Sequence, residues 1–146
     1  MELMLADAEA TTALGARLSE HLLAVGGGVV FLRGDLGAGK TTLARGLLRR
    51  AGVEGTLRSP TYTLMEPYVA GGQAFLHLDL YRLADPEEVE NLGLRDYPTD
   101  STLWLVEWPE RGLPHLPAPD LCIELEHRDG ARVARLSGPL AARIAP

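Results

Sequence analysis

A single lysine, Lys40, stands among 13 arginines in a chain of 146 residues. It lies inside Gly34-Asp35-Leu36-Gly37-Ala38-Gly39-Lys40-Thr41. Where every other basic side chain is a guanidinium, one ammonium answers a need that arginine does not meet. A compact, strongly hydrated charge on a flexible stem can fold back over a loop and reach phosphate oxygens, where a planar fork does not fit. The spacing G-x-x-x-x-G-K-[ST] is that of a phosphate-binding loop, whose backbone N–H groups turn inward around an anion. The pattern implies capture of a nucleoside triphosphate, with Gly34 to Thr42 wrapped round the phosphates and the Thr41 hydroxyl as a ligand for Mg²⁺.

Such a loop needs a strand before it and a helix after it. Val29-Val30-Phe31-Leu32 is an apolar, β-branched and aromatic run that reads as a buried strand. Thr42 to Arg50 places apolar residues at 43, 44, 47 and 48, the helical spacing, with arginines in the last turn where the helix dipole favours cations. Strand, glycine loop and helix together aim a helix N-terminus at an anion.

Hydrolysis would need more than a loop: a metal, and a group that orients water. A second carboxylate belongs at the C-terminal end of a neighbouring strand, where ligands bind in such sheets. Glu107 fits, directly after the apolar run Thr102–Val106; an acid facing solvent at a strand end is the plain alternative. Asp79 competes for a role. In Phe75 to Arg82, alternation sends Leu76, Leu78 and Leu80 to one face and His77, Asp79 and Tyr81 to the other. Three polar groups on one face form either a solvated edge or one wall of a polar site, and His77 alone reads as a hydrogen-bonded structural residue. Ser59-Pro60-Thr61-Tyr62-Thr63 falls where switch segments of phosphate-loop ATPases sense the γ-phosphate, though a turn entering a strand has the same pattern. Arg82 and Arg111 could stabilise phosphate charge, or simply be surface arginines.

The remaining elements read off in order. Residues 7–25 form a helix capped by Asp7, with Leu14, Leu18, Leu22 and Val25 on one stripe, ended by Gly26-Gly27-Gly28. Residues 58–69 and 73–81 look extended, joined by Ala70-Gly71-Gly72 in a hairpin. Asp85-Pro86-Glu87-Glu88 starts a short helix that closes near Gly93. Thr102 to Glu107 is apolar on both faces, as in a central strand. Residues 109–119 hold four prolines and form a loop, and 121–136 make a last hairpin around Asp129-Gly130, with a short helix after it. The fold class is α/β, a P-loop NTPase-like mixed sheet in one domain over 1–146: parallel around the loop, antiparallel at the hairpins, flanked by helices.

Composition bounds the partners. The net charge is −6 with no basic run, so any grip on nucleic acid is local or supplied by another protein. The one cysteine, Cys122, has no internal disulfide partner and lies in an apolar, strand-like run that predicts a buried, inert thiol. The first twenty residues carry acids and lack an apolar core segment, and no run is long enough to span a bilayer, so the cytoplasm is the expected compartment and no membrane contact is expected. Histidine and cysteine spacings do not suggest zinc.

Taken in order and separation, Gly34–Thr42, Ser59-Pro60-Thr61-Tyr62-Thr63, His77-Leu78-Asp79-Leu80-Tyr81-Arg82-Leu83 and Glu107-Trp108-Pro109-Glu110 resemble the bacterial TsaE (YjeE) family over nearly the whole chain. The second and third elements are far more specific than the loop alone. The resemblance implies a small ATPase using ATP and Mg²⁺, slow on its own and required for threonylcarbamoyladenosine at position 37 of tRNAs that read codons beginning with A. It implies two partner proteins, TsaB and TsaD, with the adenylate-forming TsaC upstream, an ATP cycle that resets the TsaB–TsaD complex, and an indirect link to tRNA through that complex. By the same resemblance, Lys40 and Thr41 hold phosphates and Mg²⁺, and Glu107 completes the metal site. Asp79 is the preferred water-orienting or catalytic acid, and Thr61 a switch residue. Trp108 lies near the nucleotide or a partner, and the first helix and the closing hairpin, through Arg132, flank the adenosine. A small-molecule or nucleoside kinase is the alternative; its arginine-rich lid has no counterpart in the scattered arginines here. No N-K-x-D element is present for guanine.

Overall fold

A computed structural model describes residues 1–58, 60 and 62–144. Asp7 opens the first helix through its carboxylate, which accepts from Ala10 N at 2.8 Å; α1 runs Ala8–Val25 and stops at Gly26, whose φ of 85° no helix can continue. Leu14, Leu18 and Leu22 are buried while Val25, the last residue on the same stripe, stays 41% exposed. The second helix, α2 (Lys40–Ala51), follows the glycine loop and packs along α1. Both lie on one face of the sheet, over a core that includes Val30, Leu32, Phe75, Leu103, Leu105 and Ile123.

The sheet has seven strands: β1 (Glu2–Leu5), β2 (Gly28–Gly34), β3 (Met65–Ala70), β4 (Gln73–Asp79), β5 (Thr102–Glu107), β6 (Leu121–Arg128) and β7 (Ala131–Ser137), in the order β1-β7-β6-β2-β5-β4-β3. The four inner strands β6, β2, β5 and β4 are parallel; β7, β1 and β3 join antiparallel. This is the mixed sheet expected from the sequence. Every residue of β5 is buried, as a strand covered on both faces requires. The second face packs Val29, Phe31, Leu76, Leu78, Trp104 and Val106 under the segment that carries Leu80, Leu83, Val89 and Leu116.

Several expectations need correction. The extended reading of residues 58–69 fails at its start: Leu64 has φ 68°, its N–H donates to Pro60 O at 2.8 Å, and β3 begins only at Met65. Similarly β4 ends at Asp79 rather than 81, because Tyr81 N turns back to donate to Asp79 Oδ1 at 3.0 Å. The Asp85 capping box forms as read, but the segment it starts, Pro86–Asn91, is 3₁₀. Cys122 is half-buried, with burial the main cause holding its thiol above the usual cysteine value. β1 escapes the sequence pattern altogether; it is four residues held by β7, with Leu5 buried beneath. No helix among the described residues is long and apolar enough to cross a membrane.

The two helices cross where neither carries a side chain. A β-carbon at Gly15 would press on the Leu43 carbonyl oxygen and come within 2.9 Å of Leu47 N, and one at Gly46 within 2.5 Å of Thr12 O. These are backbone atoms, so the only relief is to part the helices. Gly15→Ala should therefore destabilise by about 1–3 kcal/mol, the usual cost of overpacking, despite alanine's better helix propensity. Urea unfolding checks it; an unchanged or raised midpoint would show the helices are free to separate.

Candidate functional site

β2 delivers the chain to the C-terminal edge of the sheet at Gly34, and residues 35–39 turn there before α2. Ala38 N donates to Asp35 O at 3.1 Å, and Gly39, at φ 107°, is the residue before the helix. A β-carbon would strain that backbone. No side chain caps α2, so the first-turn N–H groups stay available to an anion, with the positive end of the helix dipole behind them. Lys40 curls back over the loop: Nζ donates to Gly34 O at 2.6 Å and Asp35 O at 2.9 Å, and lies 4.3 Å from the centre of the Trp108 ring. Burial lowers the pKa of this ammonium below the ordinary lysine value, opposed chiefly by the carboxylates of Glu107 and Asp79.

Those acids come from two strands. In the parallel register of β4 and β5, Asp79 pairs with Glu107; both lie on the helix-side face with His77, and all three are 5% exposed or less. Glu107 is thus not a solvent-facing strand end, and His77, Asp79 and Tyr81 line a polar wall rather than a solvated edge. One Glu107 oxygen, Oε1, accepts from Thr41 Oγ1 at 2.8 Å; the other, Oε2, is 2.6 Å from His77 Nε2. A hydroxyl and a carboxylate this close, with a second carboxylate beside them, form an all-oxygen donor set that suits a hard cation such as Mg²⁺.

A cavity of about 260 Å³ joins Lys40, Thr41, Asp79 and Glu107 to Leu36, Arg82 and Trp108. A larger one, about 550 Å³, lies between Val89 and Pro117, but its Glu90 and His115 pair with each other at 3.0 Å. The chemistry converges in the smaller. Trp108 holds φ 57°, tilts against Tyr81 with ring centres 4.9 Å apart, and has Arg111 on its other approaches, 5.0 Å from the Tyr81 ring and 5.7 Å from its own. The Arg82 guanidinium stacks on Tyr62 at 4.5 Å. Both arginines are exposed, surface side chains that stack on aromatic rings beside the cavity.

Arg132 reaches from β7 to donate to Gly37 O at 3.1 Å, and its buried Nε finds no partner among the described residues. Thr42 departs from its neighbour: it lines a separate cavity with Thr12 and Ala16, while Thr41 bonds Glu107. Thr61 and Ser59 lie outside the described residues. Alternation along 75–82 signalled the polar wall, but the contacts His77–Glu107 and Tyr81–Trp108 depend on inter-strand register that no local pattern carries.

Strand, uncapped glycine loop, helix, and carboxylates on the adjoining parallel strands define an α/β protein of the P-loop NTPase-like kind. A family model described as threonylcarbamoyl adenosine biosynthesis protein TsaE matches residues 5–135, and the chain belongs to the TsaE family. Relatives named tRNA threonylcarbamoyladenosine biosynthesis protein TsaE include one from Haemophilus influenzae, 51% identical over 71% of this chain and 66% of that protein. Another, from Nostoc, is 40% identical over 93% of this chain and 85% of its own length. Among solved structures, YdiB from Bacillus subtilis superposes with a TM-score of 0.77 at 29% identity, covering 99% of this chain and 88% of that one. The family name ties the chain to threonylcarbamoyladenosine biosynthesis.

Proposed function

We propose that this protein binds ATP with Mg²⁺ at residues 34–42, hydrolyses it slowly alone, and spends the cycle resetting a TsaB–TsaD complex that installs threonylcarbamoyladenosine at position 37 of tRNA. The observation that supports it most is the convergence of Lys40, the Thr41–Glu107 hydrogen bond and Asp79 at one sheet edge. The loop amides and α2 N-terminus receive the phosphates, and Lys40 exchanges the carbonyls of Gly34 and Asp35 for phosphate oxygens, drawing its charge onto the ligand. Thr41 and Glu107 would hold the metal, which when bound neutralises charge on the phosphate oxygens. Asp79, beside Glu107, accepts a hydrogen bond from the attacking water and fixes its direction. Trp108 flanks the nucleotide, and Arg132, already pinned to Gly37 with Nε to spare, closes the loop on the nucleoside side. Thr61 serves as the switch residue by family resemblance.

The whole reading is tested by pull-down with TsaB and TsaD in ATP, in ADP and without nucleotide, followed by ATPase assay of the complex. Nucleotide-dependent association and a stimulated rate are expected; association indifferent to nucleotide would refute the cycle. The metal assignment has its own test. Glu107→Ala should remove the Mg²⁺-dependent part of ATP affinity, about ten- to a hundredfold, and leave metal-free affinity nearly intact. Calorimetry with and without Mg²⁺ reads both; equal losses would argue against a metal role.

A further inference from the structure

His77 contributes nothing to phosphate or water in the scheme above, yet it is 1% exposed and directly bonded to the acid at the centre of the site. We propose that His77 is the positioning residue of that acid: it ties down Glu107 Oε2 so that Oε1 alone is presented to Thr41 and the cavity. The inference rests on the metal role proposed for Glu107.

A carboxylate has no proton to give, so His77 Nε2 carries the hydrogen and donates. The terminal torsion of a glutamate is broad and roughly two-fold; a side chain anchored at one oxygen can still swing the other. Here both ends are fixed, Oε1 by Thr41 Oγ1 at 2.8 Å and Oε2 by His77 Nε2 at 2.6 Å. The histidine reaches it diagonally, since the residue opposite His77 on β5 is Leu105, two before Glu107. Neither partner can trade the bond for water, because their side chains are 2% and 3% exposed. The oxygen left facing Thr41 is then held in one place before any cation arrives. Partners that orient a ligating carboxylate in this way contribute about ten- to a hundredfold to metal affinity in other sites.

A purely structural histidine would satisfy the same two buried groups, so the test must separate geometry from packing. Glutamine can place its amide nitrogen near the position of Nε2, whereas the shorter asparagine reaches only the position of Nδ1 and leaves Oε2 unbonded. Binding of a fluorescent ATP analogue is titrated in the full chain for wild type, His77→Gln and His77→Asn, without metal and against rising Mg²⁺. Expected are equal metal-free affinities in all three, a Mg²⁺ requirement in His77→Gln within about threefold of wild type, and one raised about tenfold or more in His77→Asn. A wild-type-like response from His77→Asn overturns the proposal. So does a matched loss in both variants, or a loss of metal-free binding in His77→Asn, either of which assigns the residue to packing. If Mg²⁺ leaves even wild-type affinity unchanged, the metal reading of Glu107 fails first and takes this inference with it.

Discussion

Lys40→Ala should weaken ATP binding by about a hundredfold or more and leave the fold standing. The ammonium makes two short bonds to loop carbonyls in this structure, and in the proposed ATP complex each would give way to an ion-paired bond with a phosphate oxygen. Such bonds contribute about 1.5–3 kcal/mol apiece, and two of them correspond to a factor of about 10²–10⁴ in the dissociation constant. The fold should survive because Lys40 is a half-committed core residue: burial already disfavours its charged form, so deleting it relieves one cost while leaving two carbonyls at the rim of an open cavity. Lys40→Arg should fail almost as badly, since a planar fork cannot follow the stem back over the loop and beneath Trp108. Calorimetry measures the affinity, and thermal unfolding verifies the fold. Unchanged affinity in the alanine variant would refute the loop's assignment.

Lys40 also shows why part of this molecule could be read from its sequence. The loop, the Asp7 cap and the largely apolar Thr102–Val106 are local signals: each is complete within a few residues, and each forms as read. What failed depends on distant partners. Glu2-Leu3-Met4-Leu5 has no strand signature of its own, and becomes β1 because β7 offers an unpaired edge and α1 leaves room for Leu5 beneath. The extended reading of residues 58–69 stops short for a local reason as well, because Leu64 takes a left-handed conformation and β3 starts only at Met65. The candidate site divides the same way. Glu107 and Asp79 could each be nominated from position along a strand, but that they are neighbours follows from the parallel pairing of β4 with β5 across the connection 80–101. The burial that makes Glu107 more than a strand-end acid, and the role of His77, follow from that pairing too.

The pairing sets up the sharpest separation of binding from chemistry. Asp79→Asn should hold ATP affinity close to wild type while lowering partner-stimulated hydrolysis by about 10²–10⁴-fold, the range associated with a lost acid–base or water-orienting group. The substitution is close to isosteric, and an amide oxygen can still accept from Tyr81 N as Asp79 Oδ1 does now at 3.0 Å, so the turn after β4 is preserved. Its main chain is untouched as well, including the N–H that Asp79 donates to Leu64 O at 3.0 Å. What disappears is one negative charge, 5% exposed, beside Glu107 and the ammonium of Lys40. An amide accepts poorly where a carboxylate accepts strongly, and it cannot take on a developing positive charge from water. Single-turnover hydrolysis in the presence of TsaB and TsaD isolates that loss from nucleotide binding and product release. Turnover at the wild-type rate would return Asp79 to packing and leave Glu107 as the one acid that the site uses.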